Sequence, residues 1–207
     1  MAEDITSHFN EKGFVIAENL LNLTEIEHYK HVLKLAVKSR KQLDKRQLSE
    51  KTEYEQSFIQ CQNLWEDFQE LRELTFDQRI AGIAAKLLGV DRLRIWHDQA
   101  LIKESGGRET DTHHDQPYWP IKETNTITAW IPMVPISEHN GHMGFFSGSH
   151  KVKEKRFINI FNGKVGQEEL EKLPQLKGLR PEYVDLKPGD VSFHHGLTFH
   201  NAKPNLS

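Results

Sequence analysis

The chain has 207 residues, enough for one domain with a substantial core and tight for two. A charged fraction of 28 % and an apolar fraction of 37 % fit a folded globular chain, and a formal net charge of −3 gives no electrostatic basis for binding nucleic acid or an anionic membrane. No apolar run approaches the ~20 residues of a membrane helix, the acidic start MAEDITSHFNEKG is unlike a secretory signal, and the single cysteine, Cys61, excludes an intrachain disulfide or a cysteine-rich zinc site, so a cytoplasmic protein is the simplest expectation.

The first 90 residues read mainly as helix. TEIEHYKHVLKLAVKS opens with a capping-box pattern, Thr24 and Glu27, and places Ile26, Tyr29, Val32, Leu33 and Ala36 at helical spacing. The run KSRKQLDKR reads as a solvated helix face. FIQCQNLW reads as helical too, with Cys61 as a small apolar residue. FDQRIAGIAAKLLG predicts a further helix with Asp77 as N-cap and Gly89 just past its end.

After Gly89 the texture changes to short runs of β-formers between Gly, Pro and Asn turns. They are RLRIWHDQALIK, TITAWIPMVPI, GHMGFFSGS, EYVDL, and VSFHH with LTFH. Lys187 to Asp190, KPGD, reads as a turn between strands, and Asn140-Gly141 as a hairpin signal. GKVGQEELEKLPQLKG breaks the strand pattern and reads as an inserted loop or short helix. The expected fold is α+β: helices over about 1–89, then a jelly-roll or cupin-like barrel over about 90–207, in one domain.

Nine of the 12 histidines lie at or after His97, which points to the second half for chemistry. THHDQPYWP, Thr112 to Pro120, holds a His-x-Asp pair. If the segment is extended, His113 and Asp115 share a face and His114 points away. One nitrogen and one oxygen with a second, distant histidine make a two-histidine, one-carboxylate set that suits Fe(II) and leaves positions open. His194, His195 and His200 are candidates for that histidine. His194 and His195 are adjacent, so at most one faces inward. His200 is preferred by a small margin because it closes LTFHNAKPN, where a strand ends.

Four ordered segments resemble the phytanoyl-CoA dioxygenase family of Fe(II)- and 2-oxoglutarate-dependent oxygenases. They are FNEKGFVIAENLLNLTEIEHY, HHDQPYWP, TAWIPMVPISEHNGHMGFFSGSH and LKPGDVSFHHGLTFHNAKPN, from Phe9 to Asn205. The resemblance implies a double-stranded β-helix with His113, Asp115 and His200 as iron ligands. It implies that Gln99 lines the cosubstrate pocket and that Trp130 walls the iron pocket, both as cofactor-binding residues, although Trp130 reads equally well as core packing and Gln99 also as a polar residue paired inside the barrel. Asn205 is implied to fix the turn after His200, and the Ser147–His150 run to be a structural turn rather than a ligand source. Gln116 to Pro120 reads as a substrate wall, with Tyr118 and Trp119 as flat surfaces.

The implied reaction is hydroxylation of an unactivated C–H bond in a small organic substrate, consuming O2 and 2-oxoglutarate and releasing succinate and CO2. Asp115 favours hydroxylation over halogenation, since related halogenases carry a small residue there. In the family an arginine roughly ten residues past the distal histidine anchors the far carboxylate of 2-oxoglutarate. This sequence runs to Ser207 and does not include that arginine or most of the last core strand. Either that arginine lies in a C-terminal segment outside this sequence, or the chain borrows a cation from elsewhere, for which Lys103 and Arg94 are candidates that read more readily as plain surface charges, or it binds metal without cosubstrate activity. The alternatives are a pseudoenzyme that binds metal or ligand without turnover, a cupin-like enzyme without 2-oxoglutarate, and zinc hydrolysis. Asp115 weighs against the second, and no general base declares itself for the third. Substrate identity and oligomeric state are not readable from the sequence.

Overall fold

The computed structural model describes residues 4–42, 44–47, 50–52, 55–152, 157, 168 and 172–207. Helix α1 (Ile5–Lys12) starts at Asp4, whose side chain accepts from Thr6 N, and stops at Gly13 in the left-handed region (φ 83°). The chain reverses there and enters β1 (Phe14–Ala17). Helix α2 (Leu23–Lys41) carries a capping box formed by Asn22 and Glu25, not by Thr24 and Glu27. Asn22 accepts from Glu25 N at 2.9 Å and Glu25 accepts from Asn22 N at 2.8 Å, so the helix begins before Thr24 is reached. FIQCQNLW is not helical at its centre: Ile59–Gln62 is strand β2, and only Leu64–Glu66 forms a 3-10 turn. The short α3 (Gln69–Thr75) precedes α4 (Gln78–Leu88), which is capped by Asp77 and ends at Gly89 (φ 65°), as its sequence dictates.

The remaining strands are short. They are β3 (Gln99–Ile102), β4 (Thr110–His113), β5 (Ile127–Trp130), β6 (Met143–Phe145), β7 (Glu182–Val184), β8 (Val191–His195) and β9 (His200–Ala202). Most of RLRIWHDQALIK lies outside any ladder, and of LTFH only His200 is in a strand. Half of the GKVGQEELEKLPQLKG segment lies outside the described residues; its end, 172–178, forms turns, with Leu173 and Leu176 packed on Phe146 and Phe199.

Among the described residues all pairings between strands are antiparallel and form three sheets, β1-β8-β5, β2-β3 and β4-β9-β6-β7. The architecture is therefore α+β with open antiparallel sheets, and no closed barrel forms among the described residues. The Asn140-Gly141 turn does not close a hairpin, because β5 and β6 belong to different sheets. Gly141 (φ 98°) makes a crossover corner instead. KPGD is likewise a corner between sheets: the Asp190 carboxylate accepts from Lys187 N and from Asn19 N.

Strand alternation sorts the central strand β8 into two faces. Val191 and Phe193 pack with Phe9, Ile26, Tyr29, Ile80 and Leu87 under α1, α2 and α4. Ser192 and His194 point the opposite way. On that inner side Phe14, Met143 and Phe145 form a second cluster joined by Trp130, Val184 and Ala202, which ties the three-stranded sheet to the four-stranded one. Phe14 and Phe145 stack with ring centres 4.5 Å apart. Ala100 faces a third cluster built on α2 and α3, where Cys61 sits partly buried and burial raises its thiol pKa. No helix among the described residues is long and apolar enough to cross a membrane.

Candidate metal centre

Strand β4 stops at His113, and Asp115 leads into a 3-10 turn at Gln116–Tyr118 with helical backbone angles (φ −71°, ψ −36°). His113 and Asp115 therefore do not share the face of one extended strand. The turn brings Asp115 back beside His113. Gln116, 1 % exposed, holds that turn: its amide donates to the carbonyls of Ile121 and Glu123, and its backbone N donates to Gly196 O. Gln116 is thus a clamp on the loop rather than an open substrate wall. His114 does point away and is buried, stacked on Phe199 with centroids 4.3 Å apart.

His200 opens β9 and pairs directly with His113 across the β4–β9 ladder. Its approach is fixed by a residue the sequence did not single out for this purpose. Ser149, fully buried, accepts from Phe199 N through Oγ at 2.9 Å, and Phe146 N donates to Phe199 O. The Ser147–His150 run thus seats the segment that carries His200.

Candidate ligand atoms of His113, Asp115 and His200 all lie within 4.8 Å of one another. His113 Nδ1 meets Asp111 O at 2.7 Å, and His200 Nδ1 meets Thr198 O at 3.0 Å. A carbonyl can only accept, so both Nδ1 atoms carry the proton and both Nε2 lone pairs are available. Those Nε2 atoms stand 3.8 and 3.7 Å from Asp115 Oδ1. Burial lowers the pKa of His113 and, helped by the neighbouring His113, pushes that of His200 down to about 3. Burial alone would raise the Asp115 carboxyl. The surrounding His200, His194 and His113 outweigh it and hold Asp115 well below the usual carboxylate range. Two neutral imidazoles and one carboxylate is the protonation state that a divalent cation requires.

Trp130 is half-buried on the inner side, one alternation along β5 from Thr128, whose hydroxyl donates to Asp115 Oδ2 at 2.9 Å. Gln99 stands on the exposed face of the β2–β3 ribbon, a sheet separate from the one holding the histidines, and its side-chain oxygen accepts from Gln60 Nε2 at 2.6 Å. Lys103 turns its ammonium to Arg108 O and Thr110 Oγ1 in the β3–β4 connection, and burial pushes its pKa down to about 8. Arg94 is exposed. Tyr118 sets its ring edge-on to His113 at 6.0 Å, and Trp119 sits 6.4 Å from His97. Asn205 ties the segment after β9 to the β3–β4 connection through Lys103 O and Gly107 O.

Of the two adjacent histidines, His195 lies on the helix-covered face of β8, away from the candidate centre. Its ring lies 5.6 Å from His150 and 6.4 Å from Phe9, and its Nδ1 accepts from Leu197 N. His194 faces inward, with Nε2 3.2 Å from Asp115 Oδ2. His194, one of the histidines the sequence offered, is thus a neighbour of the candidate centre, and Thr128 is a neighbour that sequence reasoning missed. Alternation from Trp130 along β5 was the available signal for Thr128.

Fold and site together define a protein with a buried two-histidine, one-carboxylate centre between antiparallel sheets. The chain belongs to the phytanoyl-CoA dioxygenase (PhyH) family, whose pattern matches residues 9–207. A phytanoyl-CoA dioxygenase domain-containing protein 1 homolog of Caenorhabditis briggsae is 27 % identical over 151 residues, 66 % of this chain and 49 % of that protein. The chain spans about half the length of the curated relatives it matches. Among solved structures, the non-heme alpha ketoglutarate dependent carbocyclase SnoK from nogalamycin biosynthesis superposes with a TM-score of 0.83 at 26 % identity, covering 100 % of this chain and 79 % of that one. The epimerase SnoN, in complex with Fe3+, alpha ketoglutarate and nogalamycin RO, shares the fold with a TM-score of 0.80 at 24 % identity, covering 98 % and 77 %.

Proposed function

We propose that this chain is a non-haem Fe(II)- and 2-oxoglutarate-dependent oxygenase that hydroxylates an unactivated C–H bond of a small organic molecule. The observation that carries this reading is the buried His113, Asp115, His200 set with both Nδ1 atoms committed to backbone carbonyls. On the same reading residues 1–207 form one domain, its facing sheets arranged as a double-stranded β-helix. SnoK is a carbocyclase and SnoN an epimerase, so membership alone does not choose the reaction. Asp115 supports hydroxylation, because its carboxylate occupies the position that a halide would need.

The donor set fits Fe(II): two imidazole nitrogens and one carboxylate oxygen converge, and three protein donors would leave positions on such an ion for other ligands. When bound, iron with 2-oxoglutarate and O2 supplies the oxidant, with succinate and CO2 as by-products. His113 and His200 would hold the ion in fixed ring orientations, because each ring is pinned by its carbonyl partner. Asp115 offsets one unit of its charge. Trp130, Met143 and Phe145 form an apolar inner wall beside His200, Phe145 lying 6.3 Å from that ring, and exclude water from that side. Tyr118 closes against His113, and Trp119 extends the flat surface toward His97.

The test is anaerobic titration of the apo-chain with Fe(II) and 2-oxoglutarate, followed by the weak visible charge-transfer absorption of the chelate. A band that disappears in His113→Ala supports the reading. Iron binding without a band favours a metal-binding chain without cosubstrate chemistry, and failure to bind iron overturns the proposal.

A further inference from the structure

The two carboxylate oxygens of Asp115 stand in unlike surroundings. Oδ1 faces the Nε2 atoms of His113 and His200. Oδ2 is turned toward β5 and β8, where Thr128 Oγ1 donates to it at 2.9 Å and His194 Nε2 lies 3.2 Å away. Thr128 and His194 are direct cross-strand partners, so a single rung of the sheet presents both groups to one oxygen.

His194 is 2 % exposed and packed between rings, 4.6 Å from His200 and 5.4 Å from Phe145. Its Nδ1 is buried without a hydrogen-bond partner among the described residues. A half-satisfied imidazole in an apolar setting costs stability that a phenyl ring of similar shape would not. Its contact with Asp115 is what accounts for a histidine there. A bond from Nε2 to a carboxylate needs the proton on Nε2, and that nitrogen then has no lone pair for a cation.

We propose that His194, together with Thr128, is a positioning residue that holds Asp115 by Oδ2 and presents Oδ1 alone to the ion. The inference rests on the oxygenase reading and goes one step past it. A carboxylate bound through one oxygen uses one coordination position. Released, it can chelate through both oxygens and take a second position that cosubstrate or oxygen needs.

The experiment is titration with Co(II) as a spectroscopic probe, reading both the dissociation constant and the visible d–d absorption. It compares the parent chain with His194→Phe, His194→Gln, Thr128→Val and His113→Ala. His194→Phe should weaken Co(II) binding by about 10- to 100-fold, the usual range for losing an outer hydrogen bond to a ligand, and should change the d–d band. His194→Gln, whose amide can donate to Oδ2, should restore most of the affinity and the parent spectrum. Thr128→Val, which barely changes shape, should shift both readouts in the same direction by less, and it carries the test alone if His194→Phe fails to fold. Parent affinity and spectrum in His194→Phe, or in Thr128→Val where that variant stands alone, overturn the proposal. So does a loss in His194→Gln as large as in His113→Ala, which would make His194 a ligand. Absence of any His113-dependent Co(II) binding in the parent chain overturns the oxygenase reading itself, an outcome distinct from a parent chain that binds and a His194→Phe variant that does not differ from it.

Discussion

His113 and His200 are cross-strand partners, paired Cα to Cα by β4 and β9 with ring centroids 4.3 Å apart. A ladder that sets two histidines side by side gives them a fixed separation, and Asp115 arrives from the turn that follows one of them. The neighbouring imidazoles consequently have separable roles.

His113→Ala and His114→Ala make the sharpest contrast. His113→Ala should abolish Fe(II) binding with a small change in stability. His114→Ala removes a ring stacked on Phe199 and should lower stability by about 2–4 kcal/mol, in the range of large-to-small core changes, with iron affinity retained. Chemical denaturation and equilibrium dialysis on the two variants read this directly. Loss of iron binding in folded His114→Ala would contradict the assignment.

Trp119→Ala should alter how substrate turnover couples to 2-oxoglutarate consumption while leaving iron affinity unchanged, since the Trp119 ring contacts His97 and not His113. Tyr118→Ala, which strips the edge packed on His113, should reduce iron affinity several-fold. Parallel Fe(II) titrations of the two variants distinguish them. A Trp119→Ala chain that no longer holds iron would refute the substrate-wall role.

The metal-free chain should lose stability as pH falls from about 6.5 to about 4. Burial pushes His195 down to about 4, whereas an unfolded histidine titrates near 6.5, so the unfolded chain binds more protons throughout that window. Stability therefore rises with pH there, and His195 contributes on the order of 2 kcal/mol after allowance for its partial contact with solvent. His113 and His200, also lowered by burial, act in the same direction. Asp115, held below the usual 3.8, adds its own loss only at lower pH. Thermal melts across pH 4–8 should show the slope, and His195→Asn should flatten it.

Gly13→Ala should destabilise the chain by more than about 1 kcal/mol, the cost of placing a side chain in the left-handed region before any clash is counted. Gly13 has φ 83°, and an added Cβ falls on His150 Nδ1 and Thr198 Oγ1. Thr198 Oγ1 and His195 N both donate to Gly13 O, so the strain should reach the segment before His200. A urea midpoint unchanged in Gly13→Ala would show that the turn relaxes freely.

The helix caps at Asp77 and Gly89 were legible because capping is local chemistry. His113, Asp115 and His200 could be nominated from residue type, order and resemblance. The route by which Asp115 meets His113 was not legible: a turn starting one residue after the strand looks, in sequence, like two more residues of strand. Asn22 displaced Thr24 as the cap for a similar reason, since both offer a capping oxygen and an acidic residue three positions on. Thr128 and His194 were invisible as a pair because their adjacency depends on the β5–β8 register, which joins segments far apart in the chain. Gln99 illustrates the limit of strand reading, since alternation shows that it and Leu101 share a face but not what that face meets.

The pairing of β1 with β8, which sets Phe14 opposite His194, has a consequence for when the centre can exist. The strands around Asp115 come from β1, β5, β8 and β9, so loops spanning most of the sequence must close before the donors converge, and such closures are slow. A growing polypeptide on the ribosome lacks the centre until His200 has emerged. A metal held by these donors would then load only after those strands have closed, and its occupancy would report that the β4–β9 and β5–β8 ladders have formed.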